Sequence, residues 1–150
     1  MSPDTQTIAP ITKTVEVPLA PGEAVRLFTT EIDSWWPRTT HSVGEEHTTK
    51  IGFEAEEGGR VYEVTDDGTE HEWGRVTTWH RPGPLVFSWY PSRGPETAQE
   101  IELHFVPTDA GTRLEFEHRG WEVMGERAAE MAADYASGWD TVLARYVAAA

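Results

Sequence analysis

At 150 residues the chain has the length of one domain built on one hydrophobic core. Its 26 acidic residues against 12 basic ones leave a formal net charge of −14 with no basic run, a field that repels nucleic-acid backbones and anionic lipid surfaces, so neither is an expected partner. The absence of cysteine removes disulfides, thiolate nucleophiles, Cys-type zinc sites and thiol redox switches.

The opening stretch, Met1 to Pro10, carries Asp4 but no Lys or Arg, and no apolar region follows it. It reads as a flexible lead ahead of a single domain, not as a secretory signal. No apolar run approaches the roughly 20 residues of a membrane span, and the cytoplasm is the expected location. Residues 11–17 mix β-branched with alternating polar residues and predict a strand. After Pro18, the spacing of Ala24, Leu27, Phe28 and Glu31, with Pro21 in the first turn, predicts a short helix over 21–31. It must end before Trp35-Trp36-Pro37, because a residue preceding proline is pushed out of the α region. Residues 38–49 are polar and aperiodic and read as a loop.

From 50 to 118 short β-rich runs alternate with turn signals, the pattern of an antiparallel meander. The runs are 51–56, 60–66, 70–80, 84–90, 98–106 and 112–119. Turns fall at Glu57-Gly58-Gly59, Asp66-Asp67-Gly68, Arg81-Pro82-Gly83-Pro84, Pro91 to Pro95 and Thr108 to Gly111. Alternation puts Leu85, Phe87, Trp89, Ile101, Leu103, Phe105, Leu114, Phe116 and His118 on one face. Glu100, Glu102, Arg113, Glu115 and Glu117 take the other, so one face is buried and one wet. From Gly125 the chain turns Ala-rich, and Met131, Tyr135, Trp139, Val142 and Tyr146 form the stripe of an amphipathic helix long enough to cover the sheet. Gly138 inside it, with Ser137 and Asp140 resembling a capping box, suggests a kink or restart at 137–139.

No nucleophile elbow, dinucleotide turn, P-loop or zincin motif occurs. His41, His47, His71, His80, His104 and His118 are scattered, with no pair at the i, i+4 spacing that would put two imidazoles on one metal. No metal or redox cofactor is expected. His118 falls on the apolar face at a strand end, either as a hydrogen-bonded core residue or as a polar handle in a pocket. His104 points the other way, toward solvent. Arg60 and Glu63, three apart on a strand, face opposite sides unless the Gly58-Gly59 turn adds a bulge. The 7 tryptophans supply core volume and suit a cavity wall with one apolar and one wet side, and hence a planar or aromatic ligand.

Taken in order, these residues resemble the START or polyketide-cyclase (SRPBCC, helix-grip) superfamily, in a branch similar to homologues of the heat-shock-protein-90 ATPase activator. The resemblance rests on Trp35-Trp36-Pro37 with His41-Ser42, the Gly58-to-Glu63 run, Asp67-Gly68, Trp73-Gly74-Arg75-Val76, Leu85-to-Trp89, Glu115-to-Trp121 and Gly138-Trp139. It covers about residues 11–149. It implies an α+β fold in which a curved antiparallel sheet wraps a long C-terminal helix, with a short N-terminal helix and an internal cavity. Related folds bind lipids, sterols, hormones and polyketides, or cyclise them. The branch also implies a chaperone partner, although the chain has no room for the separate docking domain of eukaryotic activators.

Three functions follow. The first is a cofactor-free binding module with a cavity walled by Trp35, Trp36, Trp73, Phe87, Trp89, Leu103, Phe105, Phe116 and Trp121. In it His41, Arg60, Glu63 or His118 orients a small apolar or aromatic molecule. The second is a cyclase, aromatase or hydrolase with His118 or His41 as base and Glu63 or Arg60 at a carbonyl. The third is a cochaperone-like interaction module using the acidic sheet face, which requires an exposed apolar patch and a small or closed cavity.

Overall fold

A computed structural model describes residues 8–79 and 83–150. The elements are β1 (Ile11–Val17), α1 (Pro21–Phe28), β2 (Thr48–Phe53), β3 (Arg60–Thr65), β4 (Glu70–Trp79), β5 (Leu85–Trp89), β6 (Gln99–Thr108), β7 (Gly111–Arg119) and α2 (Ala128–Ala149). The seven strands form one curved antiparallel sheet in the order β1-β7-β6-β5-β4-β3-β2. Six of them are the expected meander, and β1 returns to close the far edge on β7, with Ile11 opposite His118. The helix-grip architecture is as the sequence implies. Most of the lead, with His80 and the Arg81-Pro82 part of its turn, lies outside the described residues.

Bulges bend the sheet. Each pairing from β2 to β5 carries one extra residue: Thr49 between β2 and β3, Trp73 between β3 and β4, and Thr77 between β4 and β5. An unpaired residue kinks its strand and increases the local twist, which lets a sheet curl around a helix. At the β3–β4 bulge Trp73 and Gly74 are both buried. The latter must be glycine, because a Cβ on Gly74 would sit 1.8 Å from the Ser88 carbonyl oxygen.

The concave face holds the core. Leu85, Phe87, Ile101, Leu103, Leu114 and Phe116 are buried there and are covered by Trp139, Val142, Leu143 and Tyr146 of α2. Phe105 is half-buried and packs edge-on against Phe28 at 6.3 Å. On the convex face Arg119 bridges Glu100, Glu102 and Glu117 at 2.8, 2.8 and 3.1 Å. His104 is half-exposed there and pairs with Glu102.

Several boundaries differ from expectation. The first helix stops at Phe28, not at 31, because Thr29 returns its hydroxyl to the Val25 carbonyl at 2.8 Å and the chain tightens into a 3₁₀ turn over Ile32–Ser34. The expected loop of 38–49 contains a 3₁₀ turn at Glu45–His47, and β2 begins three residues early at Thr48. The long helix is continuous through 137–139. Asp140 forms an ion pair with Lys13 at 2.8 Å and caps nothing. The break lies upstream at Gly125, whose φ of 62° and ψ of −132° interrupt the 3₁₀ segment Trp121–Arg127 that leads into α2.

Candidate functional site

One end of the grip stays open. Between α2, the segment after Trp36 and the ends of β4 and β5 lies a cavity of about 350 Å³, near the lower end of the range for small-molecule sites. Trp36, Trp73, Trp89 and Trp139 form its inner wall. Trp36 lies 5.2 Å from Trp73 and 5.9 Å from Trp139, while Trp89 lies 5.5 and 5.3 Å from the same two rings. Polar groups gather toward the mouth: Thr40, His41 and Ser42 from the loop, Ser92 after β5, and Asp134 and Tyr135 from α2. His41 Nδ1 is 2.7 Å from the Thr40 hydroxyl, and its ring faces Gly138, where a Cβ would meet Cδ2 at 3.8 Å.

A buried indole N–H needs an acceptor, and six tryptophans are buried. Trp35 donates to the Leu27 carbonyl at 2.7 Å, Trp36 to the His41 carbonyl at 2.8 Å, and Trp73 to Glu63 at 2.7 Å. Trp121 donates to the His118 carbonyl at 3.2 Å and Trp139 to His118 Nδ1 at 3.0 Å. Trp89 is the exception. Its Nε1 is buried without a hydrogen-bond partner among the described residues. The Tyr135 hydroxyl, which burial pushes to a raised pKa, is close enough for the Trp89 N–H to oppose that rise, yet the two close no hydrogen bond.

Glu63 is wholly buried on the inner side of β3. Burial alone would raise its pKa, but donors on every side outweigh it and hold the carboxyl below its ordinary value. They are the Val43 and Gly44 amides at 2.6 and 2.9 Å, the Thr48 hydroxyl at 2.7 Å and the Trp73 indole. The carboxylate therefore pins the mouth loop to the sheet and fixes one wall indole.

His118 is wholly buried at the end of β7. Nδ1 accepts from Trp139, so Nε2 carries the proton and donates to Gln99 Oε1 at 3.0 Å. Burial lowers its pKa to about 3. Both nitrogens are engaged, and the neutral ring is a strut beneath the cavity wall.

Of the residues singled out from the sequence, Trp36, His41, Trp73 and Trp89 line the cavity. Trp35 lies behind Trp36 against Tyr146. Phe116 backs Trp139 at 4.6 Å, Phe87 packs on Phe53, and Trp121 stacks on His118 at 4.3 Å. Leu103 and Phe105 belong to the packing beneath. Arg60 stays outside, bound to Glu70 at 2.7 Å and to Glu54 at 3.4 Å and lying over the Tyr62 ring. Thus His41, Arg60, Glu63 and His118 do not converge in one cavity. Sequence reasoning passed over Tyr135, Gly138 and Trp139 as site residues, although the helical stripe contained two of them. Among the described residues no three His, Cys, Asp or Glu side chains are grouped to hold a metal ion, and no helix is long and apolar enough to cross a membrane.

The profile of the family described as Activator of Hsp90 ATPase homolog 1-like protein matches residues 20–149. The chain belongs to this family. A solved structure titled an anthrahydroquino-Gama-pyrone synthase, Txn09, complexed with SUM, is similar at 34% identity. The match covers 81% of this chain and 83% of that one, with a TM-score of 0.60. Protein CV1439 from Chromobacterium violaceum shares the fold at 16% identity, covering 93% and 95% of the two chains with a TM-score of 0.65. Bacillus halodurans protein BH1534 does so at 18% identity, 91% and 92% coverage and a TM-score of 0.64. No curated protein matches the chain in sequence.

Proposed function

We propose that the protein acts in the cytoplasm as a single domain that binds a small, planar, largely apolar or aromatic molecule without a cofactor. The carrying observation is the 350 Å³ cavity with four indoles on its inner wall and polar groups at its mouth. Flat rings bracketed by other rings gain offset and edge-on contacts beyond simple burial. Val123 is the one large apolar side chain exposed among the described residues, which supports the cavity over a chaperone-docking surface as the working part of the molecule. Titration with naphthalene should quench tryptophan emission saturably at one equivalent, and Gly138→Leu, which fills the cavity, should abolish the effect. Quenching that never saturates, or that survives the filling, overturns the reading.

A second reading is a ring-closing enzyme of the cyclase type, favoured by the 34% identity to a protein titled a pyrone synthase. In it His41, the cavity's imidazole, takes the proton of a reacting hydroxyl. Under this reading His41→Gln lowers turnover of a pyrone-forming precursor by about a hundredfold while binding persists. Equal turnover by the variant removes it.

A further inference from the structure

Resting on the binding reading above, we infer that the planar ligand carries an aryl hydroxyl that donates a hydrogen bond to His41 Nε2, and that Thr40 is the positioning residue that makes this nitrogen an acceptor. His41 lines the cavity, half-buried, on a main chain held at both its polar groups. Its amide donates to the Pro37 carbonyl at 2.9 Å, and its carbonyl accepts from the Trp36 indole at 2.8 Å. Nδ1 is taken by the Thr40 hydroxyl at 2.7 Å. Nε2 has no hydrogen-bond partner among the described residues and is not buried. The ring turns this edge toward Gly138 of α2, another cavity residue, where a Cβ would stand 3.8 Å from Cδ2 and 4.0 Å from Nε2.

Counting protons assigns the tautomer. Thr40 Oγ1 also lies 3.4 Å from the Pro37 carbonyl, which can only accept. The hydroxyl has one proton, so both contacts are bonds only when Thr40 donates to Pro37 and accepts from His41 Nδ1–H. A neutral imidazole protonated on Nδ1 presents a lone pair at Nε2, and what meets it must be a donor. Asp134, the carboxylate on the lining, likewise only accepts, and no Lys or Arg among the described residues lines the cavity. The ligand therefore brings its own proton. On a flat, largely apolar body the strongest neutral donor is a phenolic hydroxyl. Phenols, naphthols and hydroxylated polycyclic aromatics have this form.

The test is a cycle of two probes of similar outline, 2-naphthol, which carries the hydroxyl, and naphthalene, which carries none. Both are titrated into wild type and His41→Phe at about pH 8, above the range of free imidazole. Comparing the ratio of the two affinities between proteins cancels the different hydration of the probes. The naphthol-to-naphthalene ratio should fall roughly three- to tenfold in the variant, the share of one hydrogen bond. Thr40→Val, which removes the hydroxyl at nearly constant shape, should lower the ratio in part, and Thr40→Ser should restore it. Ring ¹⁵N resonances of the labelled full chain read the tautomer directly. In wild type His41 should carry its proton on Nδ1, Thr40→Val should move part of that population to Nε2, and 2-naphthol, unlike naphthalene, should shift the Nε2 resonance. The wild-type spectra stand even if a variant does not fold. A ratio unchanged in His41→Phe, an Nε2 resonance unmoved by 2-naphthol, or a free protein with its proton on Nε2 each overturns the inference and leaves the binding reading intact. If neither probe binds, both fall.

Discussion

The Trp139 indole on α2 donates its N–H to His118 Nδ1 on β7 at 3.0 Å. One bond thus links the gripped helix to the gripping sheet and leaves the proton of the neutral imidazole on Nε2, pointed at Gln99. A protonated His118 would have two donors facing each other along the Trp139 bond.

That relationship makes the fold acid-sensitive. Burial lowers the His118 pKa in the folded state to about 3 from an ordinary 6.5, so between these values the unfolded chain binds the extra proton and the folded one does not. The stability held by the neutral ring is complete above about pH 6.5 and is lost as pH falls toward 3. At pH 4.5 the loss from this residue is about 2–3 kcal/mol. Urea unfolding of wild type and His118→Gln at pH 7 and pH 4.5 measures it. The variant should start less stable but lose less on acidification, and parallel losses would show that His118 is not the sensor.

Glu63 holds an ionised carboxylate in the interior with four donors and, among the described residues, no cation bonded to it. Replacement by Gln turns an amide NH₂ toward groups that are themselves donors, which should cost about 2–4 kcal/mol. The mouth loop should loosen as well. Amide hydrogen exchange at Val43 and Gly44 should accelerate more than exchange in β6, and the Trp73 indole resonance should move. A uniform rise in exchange across the sheet would mean the residue supports only global stability.

Gly138 separates stability from binding. A Cβ there meets His41 at ordinary contact distance, 3.8 Å to Cδ2, so alanine fits the fold and removes the entropy cost of a mid-helix glycine. Gly138→Ala should gain about 0.5–1 kcal/mol in stability and, by narrowing the cavity beside His41, weaken a planar ligand several-fold. Thermal unfolding and a naphthalene titration on the same sample check both signs. A variant that is more stable and binds as well as wild type places the ligand away from the α2 side.

Much of the fold was legible in the chain because it rests on local regularities. The alternation in 84–90, 98–106 and 112–119 assigned the buried face of β5 to β7, since side chains on a strand alternate whatever lies above them. The stripe from Met131 to Tyr146 named the covering helix for the same kind of reason. Element ends were less legible: the stop at Phe28 depends on a threonine hydroxyl competing for a carbonyl, and Asp140, which reads as part of a cap, pairs instead with Lys13 within an uninterrupted helix. Trp73 sits at a bulge with Gly74 buried beside it, a pair of neighbours that alternation along the strand does not place together.

The sequence by itself determined the meander, the covering helix, the acidic outer face and the store of indoles. The tertiary structure decided which indoles meet across the cavity, that Glu63 and His118 are internal supports while Arg60 is an outer ion pair, and that Trp89 alone keeps an unspent N–H among the buried rings described. The division has one physical cause. Periodicity and turn chemistry act between residues near in sequence, whereas hydrogen-bond partners and burial are set by groups such as Glu63 and Val43, or His118 and Trp139, that become neighbours only when the sheet closes on the helix.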